Sequence, residues 1–294
     1  MDSLLFAMPG NQDFAARLAK LLEWESGVLQ QRRFPDGETY LRFLNPPGGR
    51  DVAIVCSMDR PDSKFLALYF AAQIARELGA ARVGLILPYL PYMRQDARFQ
   101  EGEGITARHF AGLLSGCCDW LITVDPHLHR YHDLNEIYSV PARVVNSAPA
   151  IAGWISRHIR HPVLIGPDAE SEQWVAEVAR AASCPYTVLQ KIRRGDRDVA
   201  VSLPDAASLA GKTPVLVDDI ASSARTMISA VSHLKAAGLA APVCIAVHAL
   251  FAGDAYAALQ AAGAGRIVSC NTVTHASNAI DLCGTLASAL QNRP

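Results

Sequence analysis

Apolar runs of strand length alternate with amphipathic segments of helix length through most of this chain, and that alternation restricts its fold more than any other feature. Asp51–Met58 reads as a strand, followed by a helix over Ser63–Leu78 and a strand over Arg82–Leu87. A helix over Ile105–Leu114 and a strand over Trp120–Val124 continue the rhythm. In the second half, strands at Pro162–Ile165, Pro214–Val217, Pro242–Ala249 and Arg266–Cys270 alternate with helices at Ser171–Ala182, Thr226–Ala237, Asp254–Ala262 and Ile280–Gln291, and Tyr186–Gln190 is extended. Such alternation predicts mostly parallel sheets with helices on both faces, because a parallel strand is reached only through a crossover. The expected fold is therefore α/β, with two tandem doubly wound domains at 1–147 and 148–294 and a boundary near Ser147–Ala150.

Composition narrows the function classes. Half of the 294 residues are hydrophobic and 19% are charged, which is ample for two cores. A net charge of −1 argues against a broad nucleic-acid surface while leaving room for a local phosphate pocket. No apolar stretch reaches the roughly 18 residues of a membrane span, and the first ten residues lack the basic stretch of a signal peptide. The seven cysteines include no C-x-x-C pair and lie mostly in apolar runs, so they read as buried thiols of a cytoplasmic protein. The adjacent Cys117 and Cys118 read the same way.

In open α/β sheets ligands bind beyond the carboxyl ends of the strands, and the sequence places its polar clusters there. Pro214–Met227 runs from an apolar strand into Asp218-Asp219, then Ile220-Ala221-Ser222-Ser223-Ala224-Arg225-Thr226, then a helix. Loop amides and a helix N-terminus favour phosphate, and paired carboxylates suit sugar hydroxyls or a divalent cation. After the strand Arg82–Leu87 come Arg94, Gln95, Asp96 and Arg98, with guanidinium forks matched to polyphosphate oxygens. After Trp120–Val124 comes Asp125-Pro126-His127-Leu128-His129, an H-x-H beside a carboxylate; without a nearby Cys it suits an active-site His near a magnesium nucleotide better than a structural zinc site.

Asp168 closes a strand before a helix, where it serves equally as an N-cap or a ligand. Phe34-Pro35-Asp36-Gly37-Glu38 is a turn whose aromatic and carboxylates are able to stack on a base and accept from its amino group; the plain alternative is a solvated turn with a core Phe. Lys191-Ile192-Arg193-Arg194-Gly195-Asp196-Arg197-Asp198 is a cationic loop or an ordinary solvated hairpin. Ala206–Thr213 imitates a phosphate loop, but it precedes a strand instead of following one and is rejected.

These segments, in this order, resemble the ribose-phosphate pyrophosphokinase family (phosphoribosyl pyrophosphate synthetases) over nearly the whole chain. Phe34–Glu38 is similar to its adenine-binding turn, and Tyr92-Met93-Arg94-Gln95-Asp96 with Gly104-Ile105-Thr106-Ala107 to its Tyr-Ala-Arg-Gln-Asp and Pro-Ile-Ser-Ala segments. Val124-Asp125-Pro126-His127 is similar to Val-Asp-Leu-His, and Gly166-Pro167-Asp168-Ala169 to Ser-Pro-Asp-Ala. Lys191-Ile192-Arg193 matches the Lys-x-Arg of the catalytic flexible loop, and Asp218-Asp219-Ile220 opens the ribose-phosphate motif.

The resemblance implies a type I phosphoribosyltransferase-like fold and transfer of the β,γ-diphosphoryl group of ATP to O1 of ribose 5-phosphate, with Mg²⁺ as cofactor. It implies that Phe34, Asp36, Gly37, Glu38, Arg94, Gln95 and Asp96 bind ATP, Phe34 stacking on adenine across a subunit interface. It gives Lys191 and Arg193 the catalytic role and His127 and Asp168 the metal. It likewise implies that Asp218, Asp219, Ser222, Ser223, Ala224, Arg225 and Thr226 bind ribose 5-phosphate and that the protein is a homo-oligomer, dimer-based and up to a hexamer; no nucleic-acid or membrane partner is expected.

Two departures stand out. The family's glycine-containing phosphate loop is here Ser222-Ser223-Ala224-Arg225-Thr226, and a positive φ at Arg225 would cost about 1 kcal/mol or more. Two glycines that follow the Asp-Ala pair in the family are here Glu170-Ser171, and a Glu170–Arg225 pairing is expected to offset the added charge. The alternatives are a regulatory non-catalytic paralogue, motivated by the altered loop, and a nucleobase phosphoribosyltransferase, which shares the acidic motif.

Overall fold

A computed structural model describes residues 2–168, 171–193, 199–202, 209, 211–291 and 293, with backbone only at 190–193 and 199–202. Half of the run Ala206–Thr213 falls outside them. By their contacts the residues form two units. The first carries β1 (Ser3–Ala7), α1 (Gln12–Leu22), β2 (Glu25–Ser26), β3 (Leu29–Arg33), β4 (Thr39–Phe43), β5 (Asp51–Val55), α2 (Pro61–Glu77), β6 (Arg82–Leu87), α3 (Thr106–Ser115), β7 (Trp120–Val124) and β8 (Ala142–Val145). The second carries α4 (Ala148–His158), β9 (Pro162–Gly166), α5 (Glu172–Ala182), β10 (Tyr186–Val188), β11 (Gln190–Arg193), β12 (Val199–Ser202), β13 (Thr213–Ala221), α6 (Arg225–Ala236), β14 (Val243–Ala249), α7 (Ala255–Ala262), β15 (Arg266–Cys270) and β16 (Asn278–Ile280).

Each unit contains a parallel sheet, in the orders β2-β1-β5-β6-β7-β8 and β10-β9-β13-β14-β15-β16. Counted along its own sheet, each order is second, first, third, fourth, fifth, sixth. Between the second and third sheet strands each unit inserts an antiparallel ribbon, β3–β4 in the first and β11–β12 in the second. The repeat is therefore one of topology, invisible as residue identity.

The central strands are mostly apolar because both faces are covered: every residue of β5 and β7 is buried, Asp51 and Thr123 included. Gly84 in β6 lies opposite Trp120 in register, and a Cβ there would come within 1.9 Å of the indole ring. The fully buried Trp120 therefore requires glycine at that point. Pro61 opens α2 at its first turn, where a missing N–H removes no helix bond.

Three sequence expectations shift. The boundary near Ser147–Ala150 coincides with the start of α4, where Pro149 stands in the first helical turn instead of in a linker. Ile280 ends β16, and the last helix, α8, starts later and covers Cys283–Gln291. That helix groups with the first unit, together with Thr272–Thr274, instead of closing the second half. It packs on α1 and β8; Leu286 and Leu290 are fully buried, and the Arg143 guanidinium donates to the Ala289 carbonyl at 2.7 Å. Beyond it the Arg293 guanidinium donates to buried Asp51 at 2.6 Å and lies over the Trp24 ring. The Thr274 hydroxyl donates to the Gly10 carbonyl at 3.2 Å.

Leu286→Ala is expected to cost about 2–5 kcal/mol, as for other leucines deleted from cores. Hydrogen exchange should show lost protection in α1 as well as α8; an effect confined to α8 would contradict the shared packing.

Candidate active site

In the second unit the crossovers leave β9 and β13 in opposite directions, so their carboxyl ends flank a topological switch point, the standard ligand position in such sheets. The structure brings Asp168 and the segment Asp218–Thr226 to these ends. β13 runs to Ala221, four residues past the Val217 end expected from hydropathy. Backbone pairing extends it: Asp218 lies opposite Ala246, Ile220 opposite His248 and Ala221 opposite Ala249. Two acids thus sit inside a ladder instead of in a loop.

Asp218 is partly buried, and its Oδ1 accepts the Asp219 N–H at 3.0 Å. Burial first, then the neighbouring Asp219 and Asp168 carboxylates, hold its pKa well above the ordinary carboxylate range. Asp168 itself shapes the turn into α5: the Ser171 hydroxyl donates to its carbonyl at 2.6 Å and the Ser171 N–H to its Oδ1 at 3.3 Å. It therefore behaves as an Asx-type cap while contributing charge to the acidic group. Together the Asp219 and Asp168 carboxylates concentrate negative charge around Asp218 at these strand ends.

After β13 the chain turns tightly. The Phe251 and Ala252 N–H groups donate to the Ala221 and Ser222 carbonyls at 2.8 and 3.0 Å, fixing the loop against the end of β14. Left-handed backbone falls on Ala224, with φ 53°, and not on Arg225, which is the first residue of α6. Arg225 therefore carries no left-handed strain, which falls on the residue before it. No side chain caps α6; its first-turn N–H groups, beside exposed Ser223 and partly buried Ser222 and Thr226, form an anion cradle. Burial of Met227, Val231 and Leu234 on α6 contributes about 1.5–3 kcal/mol each, which outweighs about 1 kcal/mol of strain at Ala224.

In the first unit, Arg94 and Gln95 are exposed in the loop after β6, and among the described residues Arg94 forms no ion pair. The loop is held at Tyr92, which has φ 65°, packs against Phe110 and donates its hydroxyl to Asp62, a bond that with burial pushes its pKa up to about 12. Asp96 differs from its neighbours: its carboxylate is buried and accepts from Arg130 at 2.7 Å. After β7, Asp125 and His127 both have positive φ, and the His127 N–H closes a tight turn on the Asp125 carbonyl at 2.9 Å. The His127 and His129 rings meet edge-on, 4.2 Å apart.

Phe34 stands at the tip of the β3–β4 ribbon, 39% exposed, so it is not a core residue. Gly37, at φ 96°, completes the turn, and Asp36 Oδ1 accepts the Glu38 N–H. The Arg32 guanidinium lies between the Phe34 and Tyr40 rings, 4.5 and 4.2 Å from their centroids. Arg32 and Tyr40 face each other in register. The sequence reading missed both, although alternation on either side of Pro35-Asp36-Gly37 marks a hairpin.

Lys191 and Arg193 lie in β11, whose backbone pairs with β12. Arg194–Asp198 and Glu170 lie outside the described residues, and the Glu170–Arg225 pairing with them. A cavity of about 460 Å³ opens beside β8, lined by His132, Asp133 and Arg143 among others, and contains none of the expected site residues. Among the described non-glycine residues with positive φ, Tyr92, Asp125, His127, Ala224 and Phe251 follow strand carboxyl ends, which is where strain accompanies function.

Residues 3–117 match the family model for the N-terminal domain of ribose phosphate pyrophosphokinase, and residues 135–283 that for the phosphoribosyl transferase domain. The ribose-phosphate pyrophosphokinase of Methanopyrus kandleri is 33% identical over 94% of this chain and 94% of its own. That of Sulfolobus acidocaldarius is 33% identical over 87% of this chain and 88% of its own. The crystal structure of phosphoribosylpyrophosphate synthetase from Mycobacterium smegmatis has the same fold, with TM-score 0.86 and 23% identity over 99% of this chain and 98% of that one. Among the described residues no helix is long and apolar enough to cross a membrane.

Two outcomes follow for the second unit. Ala224→Gly should be neutral to stabilising, by up to about 1 kcal/mol, whereas Ala224→Val should destabilise; equal melting of both would place the strain elsewhere. Because the folded pKa of Asp218 is raised, the folded state binds the extra proton, and stability falls as pH rises from about 4 through that raised value. Asp218→Asn should therefore melt higher than the wild type when ligand-free at neutral pH, with the difference shrinking on acidification.

Proposed function

The chain belongs to the ribose-phosphate pyrophosphokinase family, and from that premise we propose that it is a ribose-phosphate diphosphokinase that transfers the β,γ-diphosphoryl group of ATP to O1 of ribose 5-phosphate. The observation that carries this reading is the cradle at the second switch point, where an acidic strand end meets an uncapped helix start after left-handed Ala224. It offers carboxylates for ribose hydroxyls at Asp218 and Asp219. It also offers an amide-rich recess for the 5-phosphate at Ser222–Thr226, with the Arg225 cation at the helix start.

In the reaction, ribose O1 bonds to the β-phosphorus, the bond from that phosphorus to the α–β bridging oxygen breaks, and AMP leaves with that oxygen. The O1 proton is released. Little covalent chemistry falls to the protein, so positioning and charge neutralisation carry the rate. Exposed Arg94 and Gln95 hold the nucleotide, Phe34 stacks on adenine with Asp36 and Glu38 reading its polar edge, and Gly37 shapes that turn. Arg32 behind Phe34 stiffens the aromatic platform.

Lys191 and Arg193 neutralise the diphosphoryl group as its charge shifts between oxygens. Asp168 and His127 are the residues we assign to Mg²⁺, directly or through water, a carboxylate oxygen being the donor that cation prefers. Bound there, it would neutralise polyphosphate charge. The protein works as a homo-oligomer, dimer-based up to a hexamer, in the cytoplasm.

The test is purified protein with ATP, ribose 5-phosphate and Mg²⁺, following AMP and phosphoribosyl pyrophosphate together. Both products should form in equal amounts and only with all components present; no AMP across varied divalent cations and phosphate would reject the activity. Lys191→Ala should lower kcat by on the order of a hundredfold. Phe34→Ala should raise the KM for ATP about tenfold, the scale of one lost base stack, without raising that for ribose 5-phosphate.

A further inference from the structure

The loop after β6 and the segment after β7 leave the carboxyl ends of adjacent parallel strands, and one ion pair ties them. Asp96 stands between exposed Gln95 and Arg98, yet its side chain is only 4% exposed. Its partner is Arg130 Nη1, at 2.7 Å. Arg130 follows His129 directly and lays its guanidinium over the Phe99 ring, 5.2 Å from the centroid. One side chain thus grips the loop at two points, Asp96 and Phe99, that bracket Arg98.

A second tie runs in parallel. Arg108 in α3 donates to the Tyr131 hydroxyl at 2.8 Å, and the N–H of Ala107 in the same helix donates to the Gln95 carbonyl at 3.2 Å. The loop carrying Arg94 and Gln95, the start of α3, and the His127–Tyr131 segment are therefore one mechanical piece. A buried carboxylate needs its partner, whereas Arg130 is 54% exposed and no part of the core.

We infer that Arg130 is a positioning residue: through Asp96 and Phe99 it fixes the placement of Arg94 and Gln95 relative to His127, and so sets affinity for the nucleotide. The inference rests on the proposed nucleotide role of that loop. Its structural half, that Arg130 orders the loop, is testable without the reaction.

Arg130→Met keeps length and removes the charge; Asp96→Asn removes the other partner and Arg130→Lys restores the cation. In the intact protein, hydrogen exchange of Arg130→Met should rise in the peptide covering residues 92–99 and in the first turn of α3, with the rest of the chain unchanged. Kinetically, Arg130→Met should raise the KM for ATP on the order of tenfold, leave that for ribose 5-phosphate within about twofold, and change kcat less than the KM for ATP. Arg130→Lys should recover most of the loss. The double variant Asp96→Asn/Arg130→Met should be no worse than the poorer single one, as expected for groups acting through one contact.

Unchanged exchange at 92–99 in Arg130→Met overturns the inference whether or not the enzyme turns over. So does an equal rise in both KM values, or additive effects of the two substitutions. If the wild type makes no AMP, the activity reading fails alone, and titration of the wild type and Arg130→Met with magnesium ATP decides the inference: equal affinities overturn it, and weakened binding in the variant supports it.

Discussion

Parallel pairing of β13 with β9 on one side and β14 on the other is the constraint from which the chemistry of the second unit follows. Hydropathy alone would end the strand at Val217. The ladder carries it on to Ala221, because β14 is long enough to keep pairing through His248 and Ala249. Asp218 is thereby drawn into surroundings that resist its charge, beside Asp219 and Asp168. The chain then has only a few residues in which to turn into α6, and the turn requires left-handed backbone at Ala224. Acidity, strain and an open helix start are consequences of one register.

The two units apply the same plan to different tasks. Both interpose an antiparallel ribbon between the second and third strands of the sheet. In the first, the ribbon presents a guanidinium between two aromatic rings above a turn with two carboxylates. In the second, it carries the Lys191–Arg193 sequence. The β3–β4 ribbon keeps Leu29, Leu41 and Phe43 against the core of the first unit, Phe43 meeting the Phe6 ring at 4.6 Å, so its exposed chemistry is confined to the tip around Phe34. The switch points diverge as well. In the first unit the segments after β6 and β7 carry the polar groups, while the β1–β5 edge is tied internally, Asn11 accepting the Ser57 N–H at 2.9 Å.

Much of this was legible in the sequence, for identifiable reasons. Arg82–Leu87, Trp120–Val124 and Arg266–Cys270 are read to the residue because apolar strands between turn signals have one interpretation. The run Ser3–Ala7 and the helix Gln12–Leu22 went unassigned, although Phe14, Ala15, Leu18 and Ala19 repeat at helical spacing and are buried. At the site, Arg94, His127 and Asp168 follow strand carboxyl ends, as polar clusters after apolar runs lead one to expect, whereas Asp218 lies inside β13, three residues before its end. What composition and spacing could not convey is which way a polar side chain turns. Asp96 and Gln95 are neighbours, yet one faces inward to Arg130 and the other is exposed. The αL position also eluded the reading, since Ala224 draws less notice than Arg225.

The grouping of α8 with the first unit bears on how the chain is made. Synthesis proceeds from the N-terminus, and domains tend to fold as they emerge. Here β1 to β8 are complete once Val145 has been added, but the surface of α1 that meets α8 stays uncovered until Cys283–Gln291 arrives, nearly a whole second unit later. Asp51, at the start of β5, likewise awaits Arg293. The first unit to be translated is therefore the last to be finished. An interrupted or shortened chain releases that unit with its apolar seam open, a built-in liability to aggregation and proteolysis before synthesis ends.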